Sequence, residues 1–214
     1  MTLRWPLFLL LSGILLTLVG GEPQNLPKDM PFSDENTGMV FPAKLGAYRK
    51  SEIRISENPA VGLRIQYAGS RIGCAATIYV YALTEKPAVI SPEQFRQHYR
   101  HVRRSILHLD RLTRKVEEVE SVRRERGADP ENNPVLREQF HIRTAGEELY
   151  HSELLLILCG DRIIKVRITV PASEKTSVAE CGQFVVRFCR LFFRNQSVVF
   201  EPYDPDKNDV QPKS

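Results

Sequence analysis

The stretch Glu147–Val170, reading EELYHSELLLILCGDRIIKVRITV, constrains the fold of this chain more than any other. Gly160-Asp161 is a two-residue turn signal between apolar runs, since glycine enters the left-handed region without steric cost. With those two residues as the loop, Cys159 faces Arg162, Ile157 faces Ile164 and Leu155 faces Val166. Strand side chains alternate between faces. One face then carries Leu155, Ile157, Cys159, Ile164, Val166, Ile168 and Val170, and is expected to lie against helices. The other carries Ser152, Leu154, Leu156, Leu158, Ile163, Lys165, Arg167 and Thr169, a mixed set. A one-residue slip would exchange the two faces and drive Lys165 and Arg167 into the core, so burial specifies the register.

Segments on either side extend a sheet. Ser51–Ser56, Val61–Ala68 and Cys74–Leu83 form a three-strand meander, with Leu63, Ile65 and Tyr67 on the face opposite Arg64 and Gln66. Ser91–Leu112 is a helix: Ser91 caps it, Pro92 suits its first position and Gln94 completes a capping box. Phe95, Tyr99, Val102, Ile106 and Leu109 recur at helical spacing as its buried stripe. Lys115–Glu125 fits either a helical extension or an edge strand, and the strand is favoured. Val135–Ile142 alternates as a strand. After Pro171 a second helix spans Ser173–Phe193, with Val178, Cys181, Val185, Phe188 and Phe192 on one stripe and Phe184 and Leu191 widening it. The order β-β-β-α-β-β-β-β-α argues an α+β domain with an antiparallel sheet of about seven strands and helices packed on it.

The 214 residues divide into a signal segment at 1–21, a linker at 22–38, one domain at 39–198 and a flexible tail at 199–214. Met1–Gly21 has the order of a secretory signal: Arg4, the apolar run Leu7–Val19, then small residues before Glu22. That implies export to a periplasm or the extracellular space. The alternative is an N-terminal membrane anchor, for which the run falls short of the ~20 residues that span comfortably. No further segment of the mature chain reads as transmembrane. The Pro-rich linker and tail carry no strand or helix signal.

Thirty basic and 26 acidic residues leave a formal charge of +4, which does not by itself point to nucleic acid. Arg96, Arg100, Arg103, Arg104 and Arg111 gather on one sector of the first helix. Arg96, Arg100, Arg103 and Arg104 are the candidate anion-binding set, on a sector expected to face solvent or pair with Glu117, Glu118 and Glu120. His98, His101 and His108 share that helix, but no third-ligand carboxylate is spaced among them, so no metal is assigned. No GxSxG, Gly-rich phosphate loop or CxxC motif occurs, and no cofactor or catalytic residue is assigned.

The element order, the entry FPAKLGAYRK (Phe41–Lys50) and the strands IYVY (Ile78–Tyr81) and KVRITVP (Lys165–Pro171) resemble those of uncharacterised exported bacterial proteins. The arrangement over Val40–Phe193 is similar to the PsbP-like fold. The resemblance implies a sheet with helices packed on it, and it brings no active-site residue to this chain.

Export would permit disulfides among Cys74, Cys159, Cys181 and Cys189. The second hairpin strand rises about 26 Å from Arg162 to Val170. A helix returning over it from Glu174 reaches Cys189 after about 22 Å. Cys189 should hang above the turn where Cys159 points, with Cys181 mid-strand, making Cys159–Cys189 the candidate bridge. The alternative is that all four are free and these two merely pack near one another. The function expected from sequence is a non-enzymatic exported binding or accessory domain whose partner is a protein or an anionic surface. The alternatives are an anion-binding module built on the arginine helix, or an enzyme whose site assembles only in three dimensions.

Overall fold

A computed structural model describes residues 28–71, 73–109, 113, 115–128, 132–193 and 198–204. The expected signal segment, the first part of the linker, Arg111 and the tail beyond Asp204 lie outside the described residues. The fold is α+β, and every strand pairing is antiparallel. A hairpin of β1 (Phe32–Asp34) and β2 (Met39–Phe41) precedes a sheet of β3 (Lys44–Leu45), β4 (Tyr48–Ile55), β5 (Leu63–Ala68), β6 (Ala75–Tyr81), β7 (Val116–Ala128), β8 (Pro134–Thr144), β9 (Leu149–Cys159), β10 (Arg162–Pro171) and β11 (Glu201–Pro202). Helix α1 spans Pro92–Leu107 and α2 spans Lys175–Phe192.

The sheet has nine strands, in the order β11-β7-β8-β9-β10-β6-β5-β4-β3, not about seven. The extra members are short. β3 pairs only through Lys44 and Leu45, and β11 through Glu201 and Pro202, lengths too small for an alternation pattern to register. The linker and tail boundaries shift accordingly. Phe32–Asp34 of the linker is strand β1, and Glu201–Pro202 of the tail lies along Arg126 and Glu125 of β7. Lys115–Glu125 resolves as strand: β7 starts at Val116 and pairs with β8 along its length.

The central hairpin has the expected register, with Arg162 opposite Cys159, Ile164 opposite Ile157 and Val166 opposite Leu155. Gly160 takes φ +59°, as the first position of such a loop demands. Both faces of this hairpin are buried, however, and the helices lie on opposite faces. Leu155, Ile157, Ile164, Val166, Ile168 and Val170 pack with Cys181, Phe184, Val185 and Phe188 of α2. Leu154, Leu156, Leu158 and Ile163 pack with Phe95, Tyr99, Val102 and Ile106 of α1. The face expected to be mixed is thus a second core.

Local sequence explains each helix. Gln94 N donates to Ser91 Oγ at 3.2 Å, and Ser91 N donates to Gln94 Oε1 at 2.8 Å, closing the capping box. Such a cap is worth about 1 kcal/mol. The buried stripe of α2 is rotated from the expected one: Ser177 and Cys189 point inward, while Leu191 is 41% exposed. Phe184 wedges edge-on against Tyr48 and Tyr67, with ring centroids 5.0 and 5.7 Å away.

Candidate functional site

The arginine helix is largely spoken for. Arg96 Nη2 lies 2.8 Å from Glu93 Oε2 and Arg100 Nη1 lies 3.9 Å from Glu93 Oε1. Arg104 is exposed. Arg103 turns mostly inward, and its Nε donates to Glu138 Oε1 at 3.0 Å. Glu118 of the expected acidic partners pairs instead with Arg143, at 3.4 Å.

Glu138 is wholly buried on β8 beneath α1. Besides Arg103 it accepts from Tyr99 Oη at 2.6 Å and Ser121 Oγ at 2.5 Å. Ser121 reaches it because the register between β7 and β8 shifts by one residue at Val122, which keeps Ser121 and Arg124 on the same face.

The three helix histidines do not converge on a metal position. His98 Nε2 stands 2.7 Å from Tyr81 Oη, and their rings meet edge-on. Burial first, then Lys165 and His101, push the His98 imidazole down to about 4, so it is neutral at physiological pH. His101 is exposed.

None of the four cysteines is disulfide-bonded in the structure, so the Cys159–Cys189 bridge is not formed. Both residues belong to the α2-side core, Cys189 buried and Cys159 partly so. Burial pushes the Cys189 thiol up to about 12, leaving little thiolate to initiate exchange.

What sequence reasoning missed lies on the α1 face of the sheet, on strands distant in sequence. Register places Arg54 of β4, Arg64 of β5, Tyr79 of β6 and Lys165 of β10 side by side in one row. Glu52, Gln66, Thr77 and Arg167 form the next row. Lys165 is 8% exposed, and its Nζ sits 4.3 Å from the centre of the Tyr79 ring and 5.6 Å from that of Tyr81. The Arg167 guanidinium lies 5.7 Å from the Phe140 ring centre. Cation–π contacts offset part of the desolvation, by about 2 kcal/mol at such sites. They do not replace hydrogen-bond acceptors: Nε and Nη2 of Arg167 and Nε of Arg64 are buried without a partner. Among the described residues, no carboxylate pairs with Arg64, Lys165 or Arg167. Arg54 is held by Glu52.

The cost shows in the ionisation of these groups. Burial, then Arg167, push the Lys165 ammonium down to about 8. Burial likewise pushes Arg167 down to about 10, against the pull of Tyr79 and Glu138. A depressed lysine means that the unfolded chain binds more protons than the folded chain between the two pKa values. Stability should therefore rise from pH 8 toward pH 10, by about 2 kcal/mol. The window closes near pH 10, where unfolded tyrosines begin to ionise while Tyr79 and Tyr81 are held protonated by burial. Urea denaturation across that range measures the rise, and Lys165→Met should flatten it. An unchanged rise in the variant would place its origin elsewhere.

This arrangement can receive negative charge. Arg64 and Gln66 of β5, and Glu52 and Arg54 of β4, are each partly exposed, so the row opens toward solvent at β5 and β4. No helix among the described residues is long and apolar enough to cross a membrane.

No family model matches the chain, and no curated protein matches it. Solved structures similar to it include the Ran-binding protein Mog1p of Saccharomyces cerevisiae, with 9% identity and a TM-score of 0.37 over 82% of this chain and 90% of that one. A point mutant of Mog1 matches with the same coverage and identity and a TM-score of 0.36. Likeness at this level carries no argument about function.

Proposed function

We propose that this chain is an exported, non-enzymatic binding domain whose ligand presents an oxyanion to Arg64, Lys165 and Arg167. The observation that carries the reading is the buried pair Lys165 and Arg167 beside partly exposed Arg64 on the α1 face, with no carboxylate paired to them among the described residues. Burying a charge without a counter-charge costs several kcal/mol, and a bound oxyanion would supply both the charge and the missing acceptors. Guanidinium groups suit that role because their donors fit the geometry of phosphate, sulfate and carboxylate. Of the titratable groups around this row, His98 is engaged with Tyr81, Glu138 with three donors and Glu52 with Arg54, which favours binding over proton transfer. Export rests on the basic, apolar, small-residue order of Met1–Gly21.

The reading is tested by thermal unfolding in phosphate or sulfate against chloride at matched ionic strength. Saturating oxyanion at about a hundred times its dissociation constant adds about 2.7 kcal/mol, raising Tm by about 5–10 °C. Lys165→Met should abolish that increment while raising the Tm of the anion-free protein, because it removes a buried charge. Arg96→Gln with Arg104→Gln should keep the increment. An increment lost with the helix arginines and retained in Lys165→Met would return the site to the helix.

A further inference from the structure

On the opposite face of the sheet, we propose that His151, Glu153 and Cys181 form a binding site for one divalent metal ion of the zinc type, held between β9 and α2. His151 and Glu153 both point toward α2 because they share strand parity with Leu155 and Ile157. Cys181 comes down on them from the first half of α2. One ligand atom from each residue lies within 4.8 Å of the other two, and all three residues are buried.

The spacing suits a metal better than it suits a hydrogen bond. His151 Nε2 and Glu153 Oε1 are 3.4 Å apart. N–H···O bonds centre on about 2.9 Å. Two ligands at about 2.0–2.1 Å from a tetrahedral zinc are separated by about 3.3–3.4 Å. A soft thiolate, an imidazole and a carboxylate together are a donor set for zinc or cobalt, not for calcium or magnesium.

Neighbouring residues orient the carboxylate. Arg137 grips Glu153 Oε2 with Nη2 at 2.7 Å and Nε at 3.0 Å, which turns Oε1 toward His151. Gln139 Nε2 supports Oε1 at 3.3 Å. These are the outer-shell contacts that metal ligands characteristically carry. His141 faces His151 across the β8–β9 ladder with ring centroids 6.0 Å apart, and it is half exposed. A fourth ligand comes from His141 or from water.

Arg137 is shared between Glu153 and Glu125, the latter 3.2 Å away, and both carboxylates are buried. Arg123 Nη2 also lies 2.6 Å from Glu125 Oε1, so two guanidiniums balance the two carboxylates. On binding, the Cys181 S–H bond breaks, the sulfur pair forms the metal–sulfur bond and the proton leaves to solvent. The dication and the thiolate together add one net positive charge to the group.

The test uses the full chain, kept reduced with a thiol-free reductant, and titrates in Co²⁺. A thiolate-to-cobalt charge-transfer band should grow to saturation at one ion per chain, with release of about one proton per ion. Zn²⁺ should displace it. Cys181→Ser should remove the band, and Gln139→Ala, which leaves all three ligands in place, should weaken binding about 10–100-fold. His101→Gln on the exposed helix face should change nothing. Absence of the band in the unmodified chain overturns the proposal. So does a band that survives Cys181→Ser, or an affinity unaltered by Gln139→Ala should the serine variant fail to fold.

Discussion

Replacing Glu138 with alanine is expected to cost about 3–5 kcal/mol of folding stability, measured by chemical denaturation. The substitution strands three donors at once: Arg103 Nε, Tyr99 Oη and Ser121 Oγ. Removing one partner of a buried charged pair costs more than the pair contributes, because the remaining charge stays desolvated. The Arg103 side chain is 21% exposed and can turn partly to water, which sets the lower end of the range. Glu138→Gln keeps shape and acceptor oxygen and should cost less than the alanine change. Losses below about 1 kcal/mol for the alanine variant would mean that α1 shifts to relieve all three donors.

Gly62→Ala is expected to be at least as damaging, at about 4 kcal/mol or outright failure to fold. Gly62 has φ +63°, and an added Cβ would sit 2.0 Å from the carbonyl oxygen of Val80. The left-handed conformation alone costs about 1–2 kcal/mol for an alanine. The clash is with backbone of the neighbouring strand, which cannot rotate away, so β5 must part from β6 at its first residue. Gly38 separates the two contributions: its φ is +66°, and a Cβ added there would meet nothing within 4 Å. Gly38→Ala should therefore cost only the conformational part. Equal losses at both positions would remove the steric claim.

Local signals made much of the fold legible. Gly160-Asp161 fixes a hairpin register by itself, and Ser91, Pro92 and Gln94 mark the start of α1 at the residue where it begins. The second buried face was harder to read. Leu154, Leu156 and Leu158 alternate with Leu155 and Ile157, and such an unbroken run signals burial on both sides. Lys165 and Arg167 opposite that run suggested water, although both lie in a desolvated row. The row itself could not be seen in sequence. It exists because β10 pairs with β6, and no turn or motif joins strands so far apart in the chain. The arginine helix drew notice because its cations are adjacent in sequence, yet three of them already have carboxylate neighbours. His151, Glu153 and Cys181 escaped for the same reason as the cationic row: two are on β9 and the third arrives from α2.

The pairing of β6 with β10 also joins two meanders, β3–β6 and β7–β10, whose strands otherwise pair in sequence order. Helix α1 follows the first meander but packs mainly on the second, through Leu136, Phe140 and Ile142. Helix α2 follows the second and packs on both, on β9 and β10 through Leu155, Ile157, Ile164 and Val166 and on the first meander through Tyr48, Ile65 and Tyr67. Each meander thus depends on a helix encoded beside the other. Neither half can shield its own apolar surface when severed from its counterpart, so the chain should unfold as one cooperative unit, with slow amide exchange lost together on both sides of the seam.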